Sequence, residues 1–246
     1  YYNGYYSDRE GNQKAANHVV MLRNTSKGHS LYTTFQLQKN FVDGILKGLY
    51  LNGSYSFGQS RGVTDGTSSV ATSAWKYRAA LDGNAEEVGY TAGSFDGRLL
   101  LSASYTANWS KYAATSFGLI YQRYRPFRYS YCYNGDANGD SQFSNDLMYI
   151  PANFDEVKDH LLPGDFDSQE DAWKAMNAFI EQDPYLSKHR GEYAERNGAV
   201  APFANQLDLS VSHDIKIYQK NGRSHTLRFS FNIANFLNLL NRNWGV

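Results

Sequence analysis

Alternation with a period of two runs through this sequence and limits its fold more than any other feature. In Arg98–Ser110 the odd positions are Leu99, Leu101, Ala103, Tyr105, Ala107 and Trp109, and the even ones are Arg98, Leu100, Ser102, Ser104, Thr106, Asn108 and Ser110. Successive side chains of an extended chain point to opposite faces, so this spacing puts one class of residue on each face of a strand. Leu31, Phe35, Leu37 and Phe41 form a second such file, and Leu49, Leu51, Tyr55 and Phe57 a third. Phe117, Leu119 and Tyr121 form a fourth, with Ile120 as an exception. The last two are Leu207, Leu209, Val211, Ile215 and Ile217, and Leu227, Phe229, Phe231 and Ile233. Six strands are therefore predicted, at 31–41, 48–60, 98–110, 113–126, 206–217 and 225–234.

A soluble antiparallel sheet also alternates. Three features point instead to an all-β, antiparallel transmembrane β-barrel. Each run covers about a dozen residues, whereas soluble strands average about 5–6 and a tilted membrane-spanning strand needs about 9–11. The polar faces carry Ser, Thr, Asn, Gln and Gly rather than the Lys and Glu of a water-facing sheet, which suits a wet barrel interior. Short connections, at Val42–Lys47, Lys111-Tyr112 and Tyr218–Ser224, alternate with very long ones at 61–97 and 127–205. Short turns on one side and long loops on the other are the layout of an outer-membrane barrel. Lipid outside and water inside then predict that Leu99, Leu101, Tyr105, Trp109, Phe117, Leu119, Leu227, Phe229 and Phe231 face outward. Ser102, Ser104, Thr106, Ser116 and Ser230 are predicted to face inward.

Composition agrees. Aromatic residues make up 15% of the 246, with 20 Tyr, and Pro is scarce at 5, a mixture that favours strands and turns. Lys+Arg and Asp+Glu are equal at 24, so net charge gives no reason to expect a nucleic-acid partner. The single Cys132 cannot form an internal disulfide and reads as a small apolar filler. No apolar run approaches the ~20 residues of a membrane helix, and no leader-like segment opens the chain.

The loop 127–205 has structure of its own. Ser168-Gln169-Glu170-Asp171 reads as a capping box, Ala172, Trp173, Met176, Phe179 and Ile180 follow at helical spacing, and Pro184 stops the run. A shorter helix is expected over Ser69–Ala80. Near the start of the loop, Asp136-Ala137-Asn138-Gly139-Asp140 places oxygen-bearing side chains at alternate positions, with Asp146 close behind. Helical calcium loops begin in this way. Ser141 and Leu147 stand where such a loop wants Gly and a carboxylate, and a plain turn selects the same residues. Calcium at Asp136, Asn138, Asp140 and Asp146 and a plain turn are both open readings.

Tyr129, Tyr131 and Tyr133, with Tyr1, Tyr2, Tyr5 and Tyr6, could stack on sugar rings; packing within the loops is the alternative. Tyr105, Trp109, Tyr112 and Tyr121 fall where an interfacial aromatic girdle would lie. Asp208 and Asp214 share a polar face, either as a carboxylate pair or as lumen charges facing Arg228. His18, His29, His160, His189, His213 and His225 show no ligand spacing, and neither a nucleophile elbow nor a phosphate loop is present. No catalytic residue is expected.

Asn145-Asp146-Leu147-Met148-Tyr149-Ile150-Pro151, Phe179-Ile180-Glu181-Gln182-Asp183, Tyr185-Leu186-Ser187-Lys188-His189-Arg190-Gly191, Ala194-Glu195-Arg196-Asn197-Gly198 and Phe231–Asn241 carry a resemblance. Together they resemble the C-terminal barrel of TonB-dependent outer-membrane receptors, nearest to the Oar-like, carboxypeptidase-regulatory-like subgroup of Bacteroidetes. The resemblance implies a bacterial outer-membrane location, a barrel of about 22 strands with a plug, and uptake of a large or scarce nutrient, an oligosaccharide or peptide. It also implies partners: outer-membrane lipid, the TonB complex and a surface lipoprotein. Six strands fall short of such a wall, so residues 1–246 are expected to be a piece of the barrel, truncated at both ends. A soluble or surface-anchored β-rich glycan-binding module is the alternative, and an adhesive barrel a third.

Overall fold

The computed structural model describes residues 22–66, 68–140, 142–218 and 223–244, with two short strands at Tyr5–Ser7 and Gln13–Ala15. Strands take up 42% of the chain and helices 14%, which makes the protein mostly β. Six long strands dominate: β1 (His29–Asn40), β2 (Leu49–Gly62), β3 (Phe95–Asn108), β4 (Ala113–Tyr124), β5 (Ala204–Tyr218) and β6 (Ser224–Ile233). Each lies beside the next in chain order, and the ladders from β2 to β6 are antiparallel. The sheet is open. β1 and β6 are its two ends, and no ladder joins them among the described residues.

The alternating files explain the register. Leu101 lies opposite Gly53 on one side and Tyr121 on the other, and Val211 lies opposite Phe117 and Phe231. A one-residue slip would turn a whole file to the other face. β3 begins at Phe95, three residues before the predicted start. A register shift between Ser56 and Gly58 lets Gly58 pair with Phe95. The tight connections all leave one end of the sheet, next to Leu49, Asn108, Ala113, Ile217 and His225. The Asn221-Gly222 turn lies outside the described residues.

The chain divides into two compact units. One holds residues 31–59, 95–126 and 201–246, and the other 1–30, 60–94 and 127–200. The long connections, expected as loops, thus gather into a unit with a core of their own. Ile150, Ile180, Leu186 and Ala194 are fully or almost fully buried there, with Tyr131, Met148, Met176 and Tyr185 packed against them. Helix α1 (Ala71–Lys76) is shorter than the predicted span. Helix α2 (Gln169–Gln182) begins as predicted: the Ser168 hydroxyl accepts the Asp171 amide at 3.1 Å. It ends just before Pro184. A third helix, α3 (Phe236–Leu240), follows β6.

Two arginines and an asparagine tie this unit together. Arg196, 5% exposed, donates to the carbonyls of Val63, at 2.6 Å, and Gly62. Arg78 donates to those of Val63, Gly83 and Ala85 at 2.6–3.2 Å. Burial pulls both guanidinium pKa values down. Asn197 adopts a left-handed φ of 53°. Its amide reaches the Ser130 hydroxyl at 2.8 Å and its side chain the Tyr90 carbonyl at 2.9 Å.

Candidate functional site

The pleat and register give the sheet two chemically distinct faces. One gathers Leu101, Tyr105, Phe117, Leu119, Val211, Ile215, Leu227, Phe229 and Phe231. These side chains are not packed into a core: each is between 37% and 66% exposed. Single exposed apolar residues are ordinary on any surface, but a contiguous apolar face marks a contact with something apolar.

The opposite face is a hydrogen-bonded polar net. The Gln36 side chain donates to Asn52 at 2.8 Å, and Thr34 and Ser56 share a bond of 2.9 Å. Arg98 donates to Gln122 and Gln122 to Gln206, both at 3.0 Å, while Thr106 and Ser116 hydroxyls pair at 3.0 Å. Asp208 accepts from Gln206 and from the Asn235 amide, and Asp214 receives both arms of Arg228 at 2.6 and 2.7 Å. The two carboxylates therefore serve separate partners, and Arg228 is the one the turn brings to Asp214. Leu100 and Ile120 are large aliphatic side chains on this face, lying opposite Gln122 and Ser102.

One residue set escaped the sequence reading. At the tight-turn end of the apolar face, the Trp109 indole donates to Thr115 at 2.7 Å, and Thr115 meets His213 Nδ1 at 2.9 Å. His213 lies opposite Phe229, and His225 opposite Ile217. The signal was the gap at position 213 in the apolar file Leu207–Ile217. Tyr105 and Tyr121 lie on the same face as Trp109.

Tyr129 and Tyr131 of the loop unit pack against neighbouring side chains. The Tyr131 hydroxyl donates to Asp183 at 2.6 Å, and its ring meets those of Tyr129 at 5.4 Å and Tyr185 at 6.2 Å. Burial, and then the bond to Asp183, push its phenol pKa far up. Tyr133 is more exposed, and its hydroxyl accepts the Tyr149 amide at 3.2 Å. Tyr1 and Tyr2 lie outside the described residues, as do the side chains of Tyr5 and Tyr6. Cys132 is half-buried. Burial, with the nearby Asp146 charge, pushes its thiol up to about 11, so the reactive thiolate is scarce at neutral pH.

Asp136, Asn138, Asp140 and Asp146 do come together in one turn, where their oxygens accept main-chain amides. No group of three or more His, Cys, Asp or Glu is arranged around a common metal position among the described residues. Among the described residues no helix is long and apolar enough to cross a membrane, which says nothing of strands. No family model, curated protein or solved structure matches the chain.

Proposed function

We propose that this chain is part of the wall and outer loops of a TonB-dependent receptor in a bacterial outer membrane, of the Oar-like kind found in Bacteroidetes. Its role in this reading is uptake of a large or scarce nutrient, an oligosaccharide or peptide, driven through the TonB complex. It is not an enzyme. A surface lipoprotein that hands over the nutrient fits the same reading.

The observation that carries the proposal is the apolar face of the sheet. Its Leu, Phe and Val side chains remain exposed across β3–β6, while small neutral polar groups bond one another on the other face. In water that arrangement is inverted; in lipid it is the stable one. Trp109, Tyr112 and the polar cluster at Thr115 and His213 sit at one end of that face, where a headgroup boundary would accept them.

The test is depth labelling in vesicles. In a Cys132→Ser background, a fluorophore at Leu101→Cys or Phe229→Cys should be strongly quenched by brominated acyl chains. At Ser102→Cys or Ser230→Cys it should not. Equal quenching of the two sets would overturn the membrane wall. Transport is tested in cells: loss of the gene and loss of TonB should abolish uptake of the same nutrient. Uptake unaffected by either would remove the transport role and leave an adhesive barrel.

A further inference from the structure

The turn that begins the long segment after β4 contains an electrostatic imbalance. The Asp136 carboxylate accepts the amides of Gly139 at 2.7 Å and Asp140 at 3.0 Å. Asn138 Oδ1 also accepts the Asp140 amide, at 2.9 Å, and Asp140 Oδ1 accepts that of Gln142 at 2.8 Å. Asp146 closes on the same turn. Its Oδ2 accepts the amides of Ala137 at 2.6 Å and Asn138 at 3.3 Å. Asp146 is 4% exposed, so its carboxyl group is buried and aimed into the turn.

Those bonds satisfy one oxygen of Asp140 and one of Asp146. The other oxygens, Asp140 Oδ2 and Asp146 Oδ1, are buried and have no hydrogen-bond partner, and neither has Asn145 Oδ1 in the adjacent residue. A buried carboxylate oxygen without a donor is costly, and native structures seldom retain one uncompensated. Compensation by a proton donor is absent among the described residues. A water or a cation is then the remaining kind of partner, and two bare carboxylate oxygens in one turn favour the cation.

We propose that this turn holds a calcium site, with Asp140 Oδ2 and Asp146 Oδ1 as its two carboxylate ligands. Two carboxylates balance the charge of the ion. Ca²⁺ takes 6–8 oxygens in flexible geometry, so amide, main-chain and water oxygens complete the shell without a third acidic side chain. Mg²⁺ demands near-ideal octahedral geometry and gives up its water reluctantly, which this irregular set of oxygens does not suit. The acidic residue that closes the loop is Asp146, one position before the Leu147 that the sequence spacing puts there. Leu147 is 5% exposed and pairs with Cys132, so its side chain is committed to the interior. A bound ion would pin the turn to the 145–147 segment, which is itself anchored to Ala80 through the amide of Ala80 on Asn145 O at 3.0 Å. The site stands on its own contacts and does not depend on the membrane reading.

Calorimetry on the full chain, stripped with chelator and titrated with Ca²⁺ alone, tests the proposal. The wild-type protein should bind, with Mg²⁺ giving no comparable heat. Asp140→Asn and Asp146→Asn should each weaken binding by about tenfold or more, because affinity follows the count of charged ligands. Ca²⁺ should also slow proteolysis within 134–146 in the wild type and not in the variants. Asp146→Asn removes charge from a group that also holds two amides, and it can disturb folding. Asp140→Asn replaces an oxygen that touches no donor, so it carries the decision if the other variant misfolds. Equal heats in wild type and Asp140→Asn overturn the site, as does absence of heat up to about 10 mM Ca²⁺, well above the weakest extracellular modules.

Discussion

Arg196 and Asp183 show how single side chains order the loop unit. Arg196 has its guanidinium beneath the surface, where its N–H groups satisfy carbonyls of Gly62 and Val63 from the other long connection. Arg196→Ala removes the bond to Gly62 and leaves Val63 with Arg78 alone, and it should lower stability by about 2–3 kcal/mol, the worth of charge-assisted bonds lost in a buried place. Hydrogen exchange would show it first at Tyr90, whose amide donates to the Arg196 carbonyl at 3.1 Å. Asp183 gives a pH signature. Burial raises its pKa, but the Tyr131 hydroxyl and the amides of Leu186 and Tyr185 more than offset this and hold the carboxyl below its ordinary value. A depressed folded pKa stabilises the protein above the unfolded value of about 3.9, and the contribution disappears as pH falls through the folded value. Asp183→Asn should therefore reduce the denaturation midpoint at pH 7, and the difference from wild type should shrink below about pH 3.9. A difference independent of pH would refute this role. The capping role of Ser168 was legible in the sequence because its partner is three residues away. The partners of Arg196 and Tyr131 lie 133 and 52 residues away, and no local pattern encodes them.

At the scale of elements, the strands and the α2 helix follow directly from period and capping, and their ends needed the partner strand. The turn between β1 and β2 depends on Gly48, whose φ is +91°. A Cβ there would lie 2.8 Å from the Thr106 carbonyl oxygen, which belongs to the neighbouring strand β3. Gly48→Ala combines left-handed strain with that clash and should cost about 1–2 kcal/mol or more. Thermal unfolding of the refolded protein measures the loss, and a neutral result would mean that the turn relaxes without affecting β3. The long connections are the element that sequence pattern described least well. Two segments that read as separate loops fall in one compact unit: the core of Ile150, Ile180, Leu186 and Ala194 lies within the longer one, and Arg196 ties the shorter one to it through Gly62 and Val63, with no periodic signature to link them. Of the tyrosines offered as sugar platforms, Tyr129 and Tyr131 belong to this packing. Tyr131 donates to Asp183 and stacks near Tyr185, which leaves Tyr133 as the more accessible ring.

On the scale of the whole molecule, an open sheet with two end strands and an uncovered apolar face should not persist alone in water. Unpaired strand edges recruit other chains, and in lipid they are costly as well. Expressed by itself, the chain should aggregate or require detergent, as light scattering after size-exclusion chromatography would show. A monodisperse monomer that unfolds cooperatively in plain buffer would contradict the proposed barrel wall and favour a β-rich binding module. The sequence by itself determined which residues share a face, where the strands run, which connections are tight and where α2 begins, because each depends on side chains within a few positions of one another. Tertiary structure alone decided the register that sets Leu101 between Gly53 and Tyr121, the His213–Thr115–Trp109 chain, the joining of the two long connections and the carboxylate oxygens left bare at Asp140 and Asp146. Those features arise where distant segments meet, and one residue of slip between strands would exchange one face for the other without altering a single local preference.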